Sequence, residues 1–91
     1  IAIKPDDADS YYSMGVAYGR CEKYQEAVDA YKKASDLKPD YAMAYFHMGL
    51  TCENLAEYAK AVMAYQMFLS LESTGENADM ARKKIAELSE K

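Results

Sequence analysis

Residues 8–41 read ADSYYSMGVAYGRCEKYQEAVDAYKKASDLKPDY, and residues 42–75 read AMAYFHMGLTCENLAEYAKAVMAYQMFLSLESTG. At an offset of 34 residues the two segments carry the same residue at ten positions, which are Ala8/Ala42, Tyr11/Tyr45, Met14/Met48, Gly15/Gly49, Tyr24/Tyr58, Ala27/Ala61, Val28/Val62, Ala30/Ala64, Tyr31/Tyr65 and Leu37/Leu71. Nearly all are small or apolar, and many recur three or four residues apart, the spacing of one helix face. The sequence therefore predicts an all-α repeat protein whose units stack to bury their apolar faces.

Each repeat is expected to contain two helices, here named A and B. They span about 8–20 and 24–37 in the first repeat, and about 42–54 and 58–71 in the second. The breaks between A and B are so short that each pair must form an antiparallel hairpin. Gly15 and Gly49 lower helix propensity, and we expect the side chains of Ala27 and Ala61 to lie against these glycines.

The helix ends are marked by proline and aspartate. Pro39 ends the helix before it, because proline lacks an N–H donor and restricts the preceding residue. Asp40 is expected to cap the next helix through its carboxylate, as Asp6 or Asp7 does for the first.

The segments outside the two repeats are expected to belong to the same domain. Residues 1–7 repeat the Lys-Pro-Asp pattern of residues 38–40, which indicates the tail of a preceding repeat; a natural extended N-terminus is the alternative. Residues 76–91 should carry a capping helix over about 77–89, because Arg82 and Lys83 replace the Met-Gly pair of the repeats. Solenoids end their stack with such a polar-faced helix.

Composition narrows the function classes. Eleven basic and fifteen acidic side chains give a net charge of −4, which argues against binding to nucleic acid or to an anionic membrane. No apolar run reaches the length of a membrane span, and no signal-peptide pattern is present. Cys21 and Cys52 lie at different places in the two repeats, so they predict free thiols and, weakly, a cytoplasmic location.

The repeated residues resemble the tetratricopeptide repeat, which has this period. In the first repeat the family's pattern falls on Tyr11, Met14, Gly15, Tyr18, Ala27, Tyr31, Ala34 and Pro39, and in the second on Tyr45, Met48, Gly49, Ala61 and Tyr65. Cys52, Phe68 and Ser73 depart from it. The resemblance implies a right-handed superhelical solenoid that acts as a non-enzymatic protein-interaction module.

In this family the inner face of successive A helices lines a groove that holds a partner peptide. Carried over to this sequence, the expected lining is Tyr12, Ser13, Val16, Arg20, Met43, Phe46, His47, Leu50 and Asn54, with Met80 and Lys84 added by extrapolation to the last helix. Tyr12 and Phe46 have an equally good alternative role, covering the neighbouring helix. The apolar members favour an apolar or aromatic peptide segment as the partner.

Co-chaperones of this family hold the carboxylate of heat-shock chaperone tails with lysine, arginine and asparagine from the A helices. The corresponding positions here are Tyr12, Ser13, Val16, Met43 and His47, so we expect no chaperone tail as ligand. An enzyme is also not expected, because His47 and Cys52 lie about 140° apart around their helix and no nucleophile–base–orienter set is evident. Met43 and His47 together are too few ligands for a metal, and no cofactor is expected.

Self-association is the alternative function. Helix B of the second repeat carries Met63, Met67 and Leu69, where the first repeat has Asp29, Lys33 and Ser35. This apolar excess predicts that the outer side of helix B is covered by the cap, a partner or another subunit.

Overall fold

The computed structural model describes residues 7–90, and this part of the chain folds into five α-helices without a strand. The helices are α1 (Ala8–Arg20), α2 (Tyr24–Leu37), α3 (Ala42–Asn54), α4 (Tyr58–Leu71) and α5 (Glu76–Leu88). The predicted bounds of the first four helices are confirmed, and α5 is displaced by one residue at each end. The predicted tail of a preceding repeat lies almost wholly outside the described residues.

The helices form two layers. Helices α1 and α2 pack as one hairpin and α3 and α4 as the next, while α2 contacts α3 and α4 contacts α5. Side chains of α3 meet those of α1 through Tyr12 and His47, and those of α5 through Glu53 and Lys84. We call α1, α3 and α5 the A layer, and α2 and α4 the B layer.

The core is centred on the second hairpin and α5. Its buried members are Ala42, Phe46, Cys52, Ala61, Tyr65, Phe68, Ala78, Ala81 and Leu88. Alanines let the helices approach closely, and three aromatic rings fill the remaining space. The Phe46 ring lies 5.0 Å from Phe68 and 5.8 Å from Tyr65, measured between centroids, at the tilted angles that aromatic pairs prefer.

Each hairpin closes over a glycine that lies against a tyrosine ring. A Cβ built on Gly15 would stand 2.6 Å from the Tyr31 ring, and one on Gly49 would stand 2.7 Å from the Tyr65 ring. The predicted contacts of Ala27 and Ala61 did not include these rings, whose atoms are the nearest ones at each glycine. Helical side chains lean toward the N-terminus of their helix, so each tyrosine covers the turn before its own Cα and reaches the glycine.

The two hairpin turns share one geometry. After α3 the Glu57 N–H donates to the Cys52 carbonyl at 2.9 Å, and after α1 the Lys23 N–H donates to the Tyr18 carbonyl at 2.9 Å. This bond pattern is the Schellman motif, which needs a left-handed residue after the C-cap. That residue is Glu22 in the first repeat (φ 59°) and Ala56 in the second (φ 57°).

The helix starts differ from expectation at one place. Asp7 caps α1, because its carboxylate accepts from the Ser10 N–H at 3.3 Å. The prediction for Asp40 is wrong, since the N-cap of α3 is Tyr41 and no side chain bonds to the free amides there. The Asp40 backbone carbonyl accepts from the Ala42 N–H instead, in a turn that places its side chain before the cap position.

The outward side of α5 is polar. Asp79, Arg82 and Lys83 are exposed, and Arg82 both pairs with Asp79 at 3.4 Å and donates to the Ser73 carbonyl. In the repeats, the equivalent residues of helix A face helix B. The role of α5 as a solvating cap remains a prediction, and this polar side is what a cap requires.

The glycine contacts can be tested with Gly49→Ala. The added methyl group would collide with the Tyr65 ring, so we expect the free energy of unfolding to fall by about 1–3 kcal/mol. Gly19→Ala is the matched control, because nothing lies within 4 Å of its Cβ position. That variant should gain about 0.5–1 kcal/mol from helix propensity. Equal effects in urea denaturation would contradict the proposed contact.

The left-handed turn predicts a stabilising substitution. Ala56→Gly removes the steric cost of a Cβ at positive φ, and we expect it to raise the free energy of unfolding by up to about 1 kcal/mol. Ala17→Gly, at an exposed position inside α1, should lower it by about 1 kcal/mol. Thermal denaturation that shows Ala56→Gly to be as harmful as Ala17→Gly would refute the turn geometry.

Candidate functional site

The predicted binding residues lie along the A layer on two neighbouring helices. Four of them lie on α1 and five on α3, and their exposure falls into three groups. Ser13, Arg20 and Asn54 are exposed, Phe46 is buried, and Tyr12, Val16, Met43, His47 and Leu50 are partly buried.

Phe46 belongs to the core rather than to an accessible surface. Only 5% of it is exposed, because the rings of Phe68 and Tyr65 cover it from the B layer. Of the two roles open to Phe46, the structure supports packing. Phe46 is therefore left out of the contact surface considered below.

A cluster of stacked rings joins α1 to α3. The Tyr12 ring lies 5.1 Å from Tyr41 and 5.4 Å from His47, and His47 lies 5.8 Å from Tyr31, all between centroids. We call these four residues the ring cluster. Sequence reasoning identified Tyr12 and His47 but missed Tyr31 and Tyr41. Tyr31 was assigned to the repeat pattern alone, and the position of Tyr41 before α3 gave no sign of its role.

Burial sets the protonation of the ring cluster. Removal from water disfavours the charged imidazolium and so lowers the pKa of His47. Burial likewise raises the pKa of Tyr31 to about 12. The pKa of Tyr41 is raised by burial and by a hydrogen bond to Asp9. All four rings are therefore neutral at pH 7, which makes them an apolar surface with polar edges.

A polar network ties the second repeat to α5. Glu53 accepts from the Tyr65 hydroxyl and pairs with Lys84 at 3.2 Å, so that α3, α4 and α5 meet at one carboxylate. Burial, together with the hydrogen bond to Glu53, raises the pKa of the Tyr65 phenol. Lys84 was expected as a lining residue, and its charge is already matched by Glu53. Nothing in the sequence distinguished Glu53 from other surface glutamates.

The far end of the A layer is formed by α3 and α5. The Asn77 amide lies 3.9 Å from the Met43 sulfur, and Met80 is 46% exposed. Val16 and Leu50 are also partly open to solvent, so α1, α3 and α5 each carry an apolar side chain that water can reach. Arg20 and Asn54 are the last residues of α1 and α3, and both are open to solvent.

The buried thiol of Cys52 is not available for nucleophilic chemistry. Cys52 is only 2% exposed, and burial raises the pKa of its thiol, so it is held in the unreactive form. Among residues 7–90, no three histidine, cysteine, aspartate or glutamate side chains gather as a metal site would need. Within the same residues, no helix combines the length and apolarity of a membrane span.

Comparisons with known proteins agree with this architecture. Two models of the tetratricopeptide repeat match the chain, one over residues 8–41 and the other over residues 42–74. No curated protein sequence gives a significant match.

Solved structures show the same fold. The crystal structure of MamA aligns with a TM-score of 0.79 at 27% identity, over 96% of this chain and 59% of MamA. The first TPR domain of Spaghetti (RPAP3), bound to the HSP90 peptide SRMEEVD, aligns with a TM-score of 0.85 at 23% identity, over 96% of this chain and 67% of that one. The TPR2B domain of yeast Sti1 in complex with an Hsp70 peptide aligns with a TM-score of 0.84 at 21% identity, over 94% and 71%. The chain thus spans little more than half of the MamA structure.

The ring cluster predicts a pH-dependent stability. The folded-state pKa of His47 lies below its ordinary value of 6.5, so the unfolded chain takes up a proton first as the pH falls. Stability from this residue is complete above pH 6.5 and is lost below it. We expect a lower melting temperature at about pH 5.5 than at about pH 7.5, and a smaller difference in His47→Gln.

The protein has one histidine, so the pKa can be read directly from its imidazole proton resonances. A folded-state value above 6.5 would contradict the burial of His47 in the ring cluster.

Proposed function

Because the chain belongs to the tetratricopeptide repeat family, we propose that it is a non-enzymatic protein-interaction module whose A layer binds a segment of another protein. The observation that carries this proposal is the apolar surface of Val16, Leu50 and Met80, which spans α1, α3 and α5 and stays partly open to solvent. Partly exposed apolar surface flanked by polar groups is typical of interaction sites.

The proposed ligand is a segment with apolar or aromatic side chains. Its apolar groups would pack against the open edges of the ring cluster and against Leu50, where rings and aliphatic groups offer adaptable contacts. Arg20, His47 and Asn54 would supply polar contacts. Two of the similar structures hold chaperone peptides, and at 21–23% identity they support the fold rather than the ligand.

An acidic chaperone tail is a poor candidate for this surface. The ring cluster is neutral, Lys84 is paired with Glu53, and the chain carries a net charge of −4. Arg20 is exposed, but one arginine does not form the cluster of cations that recognises an acidic motif. We propose that selectivity rests on apolar contact instead.

Peptide selection tests the proposal. Phage-displayed random peptides selected on the protein should be enriched in apolar and aromatic residues. Val16→Lys should weaken the selected peptides about tenfold or more, since it places a charge in the apolar surface. Met63→Lys, at an exposed B-layer position, is the matched control and should leave binding unchanged. Melting temperatures of both variants will separate loss of binding from loss of folding.

The peptide SRMEEVD serves as a ligand that is expected not to bind. Fluorescence anisotropy should show no saturable binding up to about 1 mM, a weak-binding limit of about −4 kcal/mol. Micromolar binding of SRMEEVD, or a failure to enrich any peptide whose binding depends on Val16, would overturn the proposed ligand class.

A further inference from the structure

A second apolar surface lies on the opposite side of the molecule. A groove of about 420 Å³ runs between α2 and α4 in the B layer, with α3 as its floor. Val28 and Asp29 on α2 face Met63 and Met67 on α4, and Tyr45 and Met48 of α3 lie between them. We call it the outer groove.

The dimensions of the outer groove define what it can hold. Each wall extends over eight residues, from Gln25 to Lys32 and from Lys60 to Met67, so its ends lie about 10 Å apart along a helix. The volume then corresponds to a cross-section of about 40 Å², much less than that of a helix about 10 Å in diameter. The groove therefore fits one row of side chains from a helix lying across its mouth, not the helix itself.

The same face of α4 carries such a row. Ala59, Met63, Met67 and Leu71 are exposed and follow one another every fourth residue. Met63 is 64% exposed, Met67 46% and Leu71 39%. Rows with this spacing form the ridges that pack into grooves on other helices. We call these four residues the α4 ridge.

An exposed apolar ridge is found on α4 of the second repeat but not at the equivalent positions of α2 in the first repeat. The equivalent pocket beside α2 holds about 290 Å³ and is lined by Tyr11, Met14, Tyr18, Glu26, Asp29, Ala30 and Lys33. Asp29 and Lys33 stand where α4 has Met63 and Met67. The repeat fold thus tolerates charges at these positions, and folding does not require the methionines.

We propose that a second copy of this chain occupies the outer groove, with the α4 ridge of each copy inserted into the groove of the other about a twofold axis. The ridge lies on helix α4, which also lines the groove, so a single twofold rotation can place each ridge in the groove of the other copy. An interface that uses the same patch on both subunits closes at the dimer. The A layer lies on the other side and stays free for its own ligand.

The charges around the groove favour a second copy over a charged partner. Asp29 accepts from Gln25 at 3.2 Å, and Lys60 pairs with Glu57 at 3.1 Å. The rim thus carries both signs, with Asp29, Lys32 and Lys60 among the groove residues, so it selects no partner by charge, and the attraction comes from burial of methionine and leucine side chains. Two chains of charge −4 repel each other, so added salt should strengthen the dimer by screening.

Sedimentation equilibrium on the whole chain tests the proposal. The patch is smaller than the interface of a stable complex, so we expect a reversible dimer with a dissociation constant of roughly 10–500 µM. The dimer should tighten as NaCl is raised. The variant Met63→Asp/Met67→Lys, which copies the residues of the first repeat, should weaken dimerisation at least tenfold while it keeps its melting temperature within a few degrees.

Met80→Lys is the matched control. It replaces an exposed methionine of the A layer and should dimerise as the unaltered chain does. A monomer at about 1 mM would overturn the proposal. So would unchanged dimerisation of Met63→Asp/Met67→Lys, or a dimer weakened by Met80→Lys instead. Peptide binding is measured separately at low concentration, so failure of the dimer leaves the A-layer proposal standing.

Discussion

The structure depends on the contact between a tyrosine ring and a glycine in each hairpin. Tyr31 lies on Gly15 and Tyr65 on Gly49, at distances that leave no room for a Cβ. This contact sets how closely helices A and B approach, and the second hairpin then positions α5 through Phe46 and Phe68. Because Tyr31 also stacks on His47, the same residue links the first hairpin to the second. Packing within a repeat and packing between repeats therefore share one side chain.

The two faces of the molecule differ in the side chains that they expose. The A layer contains the glycines that face tyrosine rings, and its Tyr12 and His47 rings meet edge to face. Val16 and Leu50 are left partly open to solvent there. In the B layer, the character of α2 and α4 follows their individual residues. Asp29 and Lys33 make α2 polar, while Met63 and Met67 make α4 apolar. One scaffold thus carries two partly apolar surfaces of different composition.

The sequence predicted the elements well because its repeat constrains them twice. Each helix had an independent copy one period away, and Pro39 together with the hairpin breaks marked the ends. The errors concern contacts that depend on how far and in which direction a side chain extends, and not only on where its residue lies in the helix. Ala27 was expected to lie against Gly15, but the nearest atoms there belong to the ring of Tyr31, one turn later in α2. Asp40 failed as a cap because it lies one residue before Tyr41, which is the N-cap of α3.

The site was harder to predict than the fold. The face of α3 was identified from helical geometry, yet Phe46 is sealed by Phe68 from another helix, a contact that periodicity does not encode. Glu53 depends in the same way on Tyr65 and Lys84. The central claim is that a partner peptide binds to the A layer, while the B layer contacts only a second copy of the chain. The six methionines report on both faces, so methyl spectra of methionine-labelled protein during titration with a selected peptide test this claim most directly. The account predicts shifts at Met43 and Met80 with Met63 and Met67 unmoved, and the reverse pattern would contradict it.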